Sequence, residues 1–240
     1  MEQKKLGVLG GMGPMATSLF FEQVIEHTLA RKDQDHLDMI ILNHATIPDR
    51  TDAILNKKET AFLAAVKKDF DLFEKTDVAN IAIPCNTSHY FFDTMQAMTS
   101  INIINMIDET SKFIRETYGS DAKVGILATN GTINSGIYQK GCQKFGMEAV
   151  VPNEQIQSLI MEIIYRFKAD ESIDPSELDR IINELVFKEG CMCIILGCTE
   201  LSCIPLSDEA EQYTVDAMRV LVEQSIIQSG KQVKKVTEVL

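Results

Sequence analysis

Short apolar runs alternate along this chain with longer stretches in which apolar positions recur every three or four residues. The runs predict strands near 5–9, 38–43, 79–84, 102–105, 123–128, 148–151 and 191–196, because a strand buried on both faces of a parallel sheet reads as a continuous apolar block. The periodic stretches predict helices near 16–31, 59–75, 108–118, 135–145, 155–167 and 176–188, followed by a final helix over 208–228. Pro14 and Pro175 fall where a first helical turn tolerates a missing N–H. Strands alternating with helices predict an α/β fold.

The pattern also repeats itself. Leu6-Gly-Val-Leu-Gly10-Gly-Met-Gly13 is echoed by Val124-Gly-Ile-Leu-Ala128-Thr-Asn-Gly131, and Ile81-Ala-Ile-Pro-Cys85-Asn-Thr87-Ser-His89 by Ile194-Ile-Leu-Gly-Cys198-Thr199-Glu-Leu201. Gly7 and Gly125 lie 118 positions apart, and Cys85 and Cys198 lie 113 apart. Offsets this similar predict a duplicated half-domain: two pseudo-symmetric lobes, each a parallel sheet flanked by helices, with the active site in the cleft between them. The expected division assigns 1–104 and 208–240 to the first lobe and 105–207 to the second. The final helix then crosses back onto the first lobe. No low-complexity linker marks the boundary, which predicts closely joined lobes.

Composition narrows the classes of function. With 240 residues the chain can bury a sizeable core, and 45% hydrophobic with 24% charged residues is ordinary for a soluble protein. A net charge of −12, with Lys and Arg gathered only at Lys231 to Lys235, argues against nucleic-acid and acidic-membrane partners. The opening residues lack a signal-peptide pattern and no apolar run is long enough to span a membrane, so the expected location is cytoplasmic. In that compartment the six cysteines are expected as thiols rather than disulfides.

Context sorts those thiols. Cys85 and Cys198 each follow an apolar strand and precede residues that cap helices, Asn-Thr and Thr-Glu. Side chains beyond the carboxyl ends of parallel strands face the ligand edge of an α/β sheet. A helix N-terminus there is expected to lower a thiol pKa and create a poised acid or base. Cys142 and Cys203 read as packing residues, and Cys191 and Cys193, two apart in a strand and hence on one face, lack the third ligand of a zinc site. Gly11-x-Gly13-x-x-Ala16 satisfies a dinucleotide fingerprint, but the second strand ends in Leu42-Asn43-His44 without the acid that holds a ribose. A tight turn whose N–H groups can approach a small anion fits the loop better.

Gly10-Gly-Met-Gly-Pro14, Ile47-Pro-Asp-Arg-Thr51, Pro84-Cys-Asn-Thr-Ser-His89, Leu127-Ala-Thr129-x-Gly-Thr132 and Leu196-Gly-Cys-Thr-Glu-Leu201 together resemble the aspartate/glutamate racemase family. The resemblance covers nearly the whole chain, in order. It implies a two-lobed isomerase that works without pyridoxal phosphate, with Cys85 and Cys198 as opposed acid and base, and the sequence offers no ligand set that suits a metal. It further implies that Cys198 deprotonates the L-form and Cys85 the D-form. Met12, Asn86, Thr87, Thr129, Thr132 and Thr199 resemble the contacts to the substrate α-carboxylate and amine. Arg50 and Lys168 resemble those to its second carboxylate, which makes aspartate the first expected substrate and glutamate the second. The partner is then a small amino acid, and a homodimer is compatible. Other readings on the same scaffold are maleate isomerisation, hydantoin racemisation, and a non-catalytic amino-acid-binding protein. His89, four residues after Cys85, and His44 are open between site and packing roles. Glu200 either tunes Cys198 or only complements a helix dipole.

Overall fold

The computed structural model describes residues 4–234. The extremities of the expected first lobe, 1–3 and 235–240, including Lys235 of the basic tail, lie outside the described residues.

Two four-stranded parallel sheets carry the chain. The first contains β1 (Lys5–Gly10), β2 (Met39–Asn43), β3 (Val78–Ala82) and β4 (Asn102–Ile103), and the second β5 (Lys123–Leu127), β6 (Glu148–Val150), β7 (Cys193–Leu196) and β8 (Thr214–Asp216). Their orders, β2-β1-β3-β4 and β6-β5-β7-β8, coincide strand for strand. Even the register repeats, with Gly7 opposite Ile81 and Gly125 opposite Ile194. The duplication read from two pairs of motifs is therefore a duplication of whole sheets.

The helices are α1 (Pro14–His27), α2 (Arg50–Leu55), α3 (Glu59–Phe73), α4 (Phe92–Gln96), α5 (Met106–Tyr118), α6 (Asn130–Ser135), α7 (Ile137–Lys144), α8 (Glu154–Lys168), α9 (Pro175–Phe187), α10 (Asp208–Glu211) and α11 (Ala217–Gln228). Leu6 and Val8 of β1, Val124 and Ile126 of β5, and Ile195 of β7 share one core with Phe20 of α1, Ile114 of α5, Tyr138 of α7 and Leu221 of α11. On their other faces, Leu9 and Ile81 pack with Phe62, Val66 and Phe70 of α3. Leu127, Ile194 and Leu196 pack likewise with Ile160 of α8 and Leu178 of α9. Both sheets are thus covered on both faces, which is why their strands are apolar throughout. The shared central core, rather than a linker, joins the lobes. Its middle is the contact of α5 with α11, the helices that follow β4 and β8. Each starts with a side-chain cap: Asn105 accepts from Ile107 N–H at 3.1 Å, and Asp216 from Met218 N–H at 2.8 Å.

Four local expectations are corrected. The first helix stops at His27 rather than near 31, because the chain turns extended at Thr28 and Leu29 N–H donates to Gln232 O at 2.8 Å. The helix expected over 135–145 breaks at Gly136, whose φ of 68° suits only glycine-like backbone. The single helix over 208–228 is instead α10, β8 and α11: Thr214-Val215-Asp216 extends as an edge strand beside β7, burying Val215 in the central core. Residues 214–216 therefore belong to the second sheet, while α11 packs on α1 and α5. Cys191 precedes its strand, so it and Cys193 enter different cores rather than sharing a face. Helices α2 and α4, and all of α6 but Ser135, are too short to show a periodicity and lie outside the expected helices. Among the described residues, no helix is long and apolar enough to cross a membrane.

Candidate active site

Both cysteines sit just beyond equivalent strands, Cys85 after β3 and Cys198 after β7, each only 5% exposed. They line one narrow cavity of about 30 Å³ at the carboxyl edge of the two sheets. Met12, Arg50, Asn86, Thr87, Thr129, Lys168 and Thr199 line it as well, so nine of the ten residues singled out from sequence meet there. Thr132, fully buried, stands behind the wall. Asp49, Thr51, Ile164, Tyr165 and Glu200 complete the lining. Asp49 and Thr51 were legible as neighbours of Arg50, whereas Ile164 and Tyr165 carry no signal beyond helix α8.

Hydroxyls knit the lobes at this edge. Thr87 Oγ1 lies 3.0 Å from Thr129 Oγ1 and 2.9 Å from Thr132 Oγ1, and those two are 3.2 Å apart. Thr129 also caps α6 by accepting from Thr132 N–H, so capping and site lining are not alternatives there. The approach depends on Gly131, since a Cβ at that position would come within 2.8 Å of Thr51 Oγ1 and 3.0 Å of Thr87 Cγ2. Tyr138, a residue with no sequence signal, donates from its phenol to Asn86 Oδ1. While Oδ1 accepts this bond, the buried Nδ2 of Asn86 has no partner among the described residues.

His89 is a backbone latch. Its Nδ1 donates to the Cys85 carbonyl at 2.9 Å and its Nε2 accepts from Met106 N–H at 3.2 Å, so its tautomer is set and its ring does not reach the cavity. Burial holds its pKa below the ordinary histidine value. His44 donates from Nδ1 to Asp69 Oδ2 at 2.8 Å and does not line the cavity.

The surroundings of the two thiols differ. Cys198 Sγ donates to Glu200 Oε2 at 2.8 Å, and the other oxygen of Glu200 is ion-paired with the Lys168 ammonium. Burial and the neighbouring Glu200 carboxylate together push the Cys198 thiol well above its ordinary pKa, against the opposing pull of Lys168. Burial alone would lower the Lys168 pKa, but Glu200, Cys198 and Cys85 outweigh it and keep the ammonium. The expected lowering of this thiol by a helix N-terminus is therefore corrected. Only short 3-10 turns follow the cysteines, Thr87–Phe91 and Leu201–Cys203. A single such turn carries too few aligned peptide dipoles to offset the desolvation of a buried thiolate.

Arg50 opens α2, with Asp49 capping that helix through a 2.8 Å bond from Asp52 N–H. Its Nη1 donates to Pro48 O at 3.2 Å, while its buried Nε has no partner among the described residues. Arg50, Asp49, Lys168 and Glu200 also border a wider outer space of about 450 Å³, walled by the Gly11–Ala16 loop, Phe167, Asp170 and Glu171. Gly11 has φ +93°, and a Cβ there would come 2.4 Å from the His44 carbonyl carbon, so a tight turn against His44 accounts for the glycine pattern without a dinucleotide. Among the described residues, no three His, Cys, Asp or Glu side chains are grouped to hold a metal ion.

Paired parallel sheets with a cysteine beyond the corresponding strand of each define a pseudo-symmetric α/β scaffold whose pocket lies between its halves. The chain belongs to the Asp/Glu/Hydantoin racemase family, whose model matches residues 9–225. It is 29% identical to the broad-specificity amino-acid racemase RacX of Bacillus subtilis over 92% of this chain and 96% of that one. Among solved structures it is similar to Picrophilus torridus aspartate racemase, with TM-score 0.81, 29% identity and coverage of 97% and 96% of the two chains. A glutamate racemase from Francisella tularensis, solved with D-glutamate, shares the fold at TM-score 0.63 and 20% identity, over 93% of this chain and 80% of that one.

Proposed function

We propose that this protein racemises an acidic amino acid without a cofactor, aspartate first and glutamate second, using Cys85 and Cys198 as a two-base pair. The observation that carries this reading is the meeting of one thiol from each lobe with Arg50 and Lys168 around a single cavity. A thiolate on one face takes the Cα proton, and the C–H electron pair moves into the α-carboxylate. The other thiol then delivers its own proton to the opposite face. One proton leaves the substrate and one joins it, and the sulfurs exchange protonation states. Such a pair titrates as a unit.

The negative charge that develops on the α-carboxylate needs preorganised donors. The unpartnered Asn86 Nδ2 and the Thr87 and Thr129 hydroxyls supply them. Arg50, with Nε unpartnered, is suited to grip the distal carboxylate, and Lys168 shares its charge between that group and Glu200. Two observations favour a second reading, a wider substrate range: the outer space combines apolar Met15 and Phe167 with Asp49, Asp170 and Glu171, and a relative matched over 92% of this chain is a broad-specificity racemase.

The test incubates purified protein with single L-amino acids in D₂O and follows Cα–H loss by NMR and enantiomer ratio by chiral chromatography. Aspartate should exchange and racemise fastest, with activity surviving EDTA and hydroxylamine and lost to iodoacetamide. Fast turnover of basic or neutral amino acids with slow turnover of aspartate would select the wider reading. Turnover of maleate or of a hydantoin alone would select the other isomerases, and binding without exchange would select the non-catalytic role.

A further inference from the structure

The two lobes repeat so closely that a position where they differ in chemistry stands out. Glu200 and Thr87 are 113 positions apart, the same offset as the cysteines, and each lies two residues beyond its cysteine. In the first lobe that position is a hydroxyl, tied to Thr129 and Thr132 and not to sulfur. In the second it is a carboxylate, 4% exposed, that accepts from the Cys198 thiol at 2.8 Å. Cys85 Sγ has no carboxylate within hydrogen-bond distance among the described residues; it interacts with the Lys168 ammonium and shares the cavity with Arg50, Asp49 and Glu200.

A thiol that donates to a carboxylate keeps its proton, because ionising it would set two anions within contact distance in a site with little water. We infer that Glu200 is a positioning residue that fixes the resting proton of the pair on Cys198, so that the free enzyme meets substrate with Cys198 as the acid and Cys85 as the base. This rests on the two-thiol reading above. The other groups facing Cys198 do not reverse the assignment. Lys168 is already paired with Glu200, Tyr138 is a buried neutral phenol, and Asp216 and Cys203 lie behind the turn that follows Thr199. Burial adds to the carboxylate in favouring the neutral thiol.

The consequence is a directional enzyme. A substrate whose α-hydrogen faces Cys85 reacts at once: its proton passes to the Cys85 thiolate, and the Cys198 proton passes to the carbanion. The enzyme is left with a Cys85 thiol and a Cys198 thiolate beside Glu200, neutralised in part by Lys168. It returns to rest when Cys198 takes a proton from water and Cys85 gives one up, and it reaches the opposite enantiomer directly only from that swapped state.

The test needs no substrate. Iodoacetamide is attacked by the thiolate, with iodide leaving, so its rate at each cysteine reports the thiolate population. Because the two cysteines are equally buried, peptide mass spectrometry at neutral pH should find Cys85 labelled at least about tenfold faster than Cys198, one pKa unit of thiolate population being tenfold. Glu200→Gln should raise the Cys198 rate by a similar factor, and Lys168→Met should lower it. The wild-type pH profile, with Cys198 labelling rising at higher pH than Cys85, serves if either variant fails to fold. Equal labelling in the wild type, faster labelling of Cys198, or a Cys198 rate indifferent to Glu200→Gln would overturn the inference. Absence of racemisation with every amino acid would instead overturn the two-base reading, and the labelling ratio would still report the resting proton.

Discussion

The first lobe follows its third strand with Cys-Asn-Thr and the second follows the equivalent strand with Cys-Thr-Glu. The backbones correspond in strand order and register, yet one thiol faces hydroxyl-bearing neighbours and the other a carboxylate paired with lysine. Racemisation asks the pair to act on both hands of a substrate, and it is natural to expect matched acids. The difference between the lobes teaches otherwise. On the proposed two-base reading each turnover removes one proton and returns one, so the pair holds one proton in total, and an asymmetric resting state meets that need without a mixture of protonation states.

The strongest way to break the comparison is to remove either sulfur. Cys85→Ser and Cys198→Ser should each cut racemisation by at least about a thousandfold, and the double variant should lose little more, because groups that act as a unit do not contribute additively. Chiral chromatography of aspartate reads the result. A single variant with near-wild-type racemisation would remove that cysteine from the pair.

The lobes also divide the expected grip on the distal carboxylate, Arg50 coming from the first and Lys168 from the second. Arg50→Lys keeps the charge but loses the planar fork, and should cost about 1–3 kcal/mol in kcat/KM for aspartate. Arg50→Ala should cost more. Combined with Lys168→Ala, the loss should fall short of the sum if both reach one carboxylate. Alanine turnover should be poor throughout and change little. Equal impairment of alanine by Arg50→Ala would make Arg50 a structural residue of the α2 turn.

How much of this was legible in the sequence follows from which interactions are local. Strand blocks and repeated motifs depend on burial and period, so the two sheets, the cysteine positions and most of the cavity lining were readable. What escaped depends on distant partners. Thr214-Val215-Asp216 is a strand only because β7 offers an open edge. Tyr138 orients Asn86 from a helix that carries no motif. Glu200 could be seen beside Cys198, but whether it faced the thiol or solvent was set by Lys168, 32 positions away on α8. The inferred lowering of the thiol pKa failed for the same reason: a capping pattern predicts a dipole, while desolvation and a neighbouring carboxylate are tertiary facts.

The hydroxyl triangle is where the lobes are stitched together, and it is the next test. Thr87→Val keeps the shape but removes the hydroxyl shared by Thr129 and Thr132. Thr129 and Thr132 keep their 3.2 Å bond to each other but each loses its bond to Thr87, so unfolding in urea should show a loss of about 1–2 kcal/mol. A loss within experimental error would mean that the triangle only lines the cavity.

His89 in the first lobe and Asp216 in the second are titratable groups with structural tasks, and the two respond to pH in opposite senses. His89 latches the Cys85 carbonyl, and burial lowers its folded-state pKa below the unfolded value. The unfolded chain therefore binds more protons on the acid side. The contribution of His89 to stability is present above about pH 6.5, the unfolded value, and is lost as pH falls towards the folded one. Urea melts should weaken between pH 7 and pH 5, and His89→Gln should flatten that slope even though it lowers stability at pH 7. An unchanged slope would place the acid sensitivity elsewhere.

The smallest effect sharpens the comparison at the helix caps. Asn105 starts α5, and Asp216, its counterpart in the second lobe, starts α11. Burial raises the Asp216 pKa above its unfolded value, against the lowering by Ser202 and the α11 backbone. A raised carboxyl contributes stability below the unfolded value and loses it as pH rises through the folded one. Both Ser202 Oγ and Met218 N–H donate to the same oxygen, Oδ1, at 2.6 and 2.8 Å. An asparagine can accept both through its own Oδ1 without burying a charge. Asp216→Asn, which makes the two caps alike, should therefore change stability at pH 7 by no more than about 1 kcal/mol, in the stabilising direction. Its advantage over the wild type should shrink as pH falls towards 4, because protonation of Asp216 relieves the same cost. A variant destabilised at pH 7, with the gap closing as pH falls and Asp216 takes up its proton, would show that the charge on Asp216 is needed, and that the second lobe differs from the first at its cap as it does beside its cysteine.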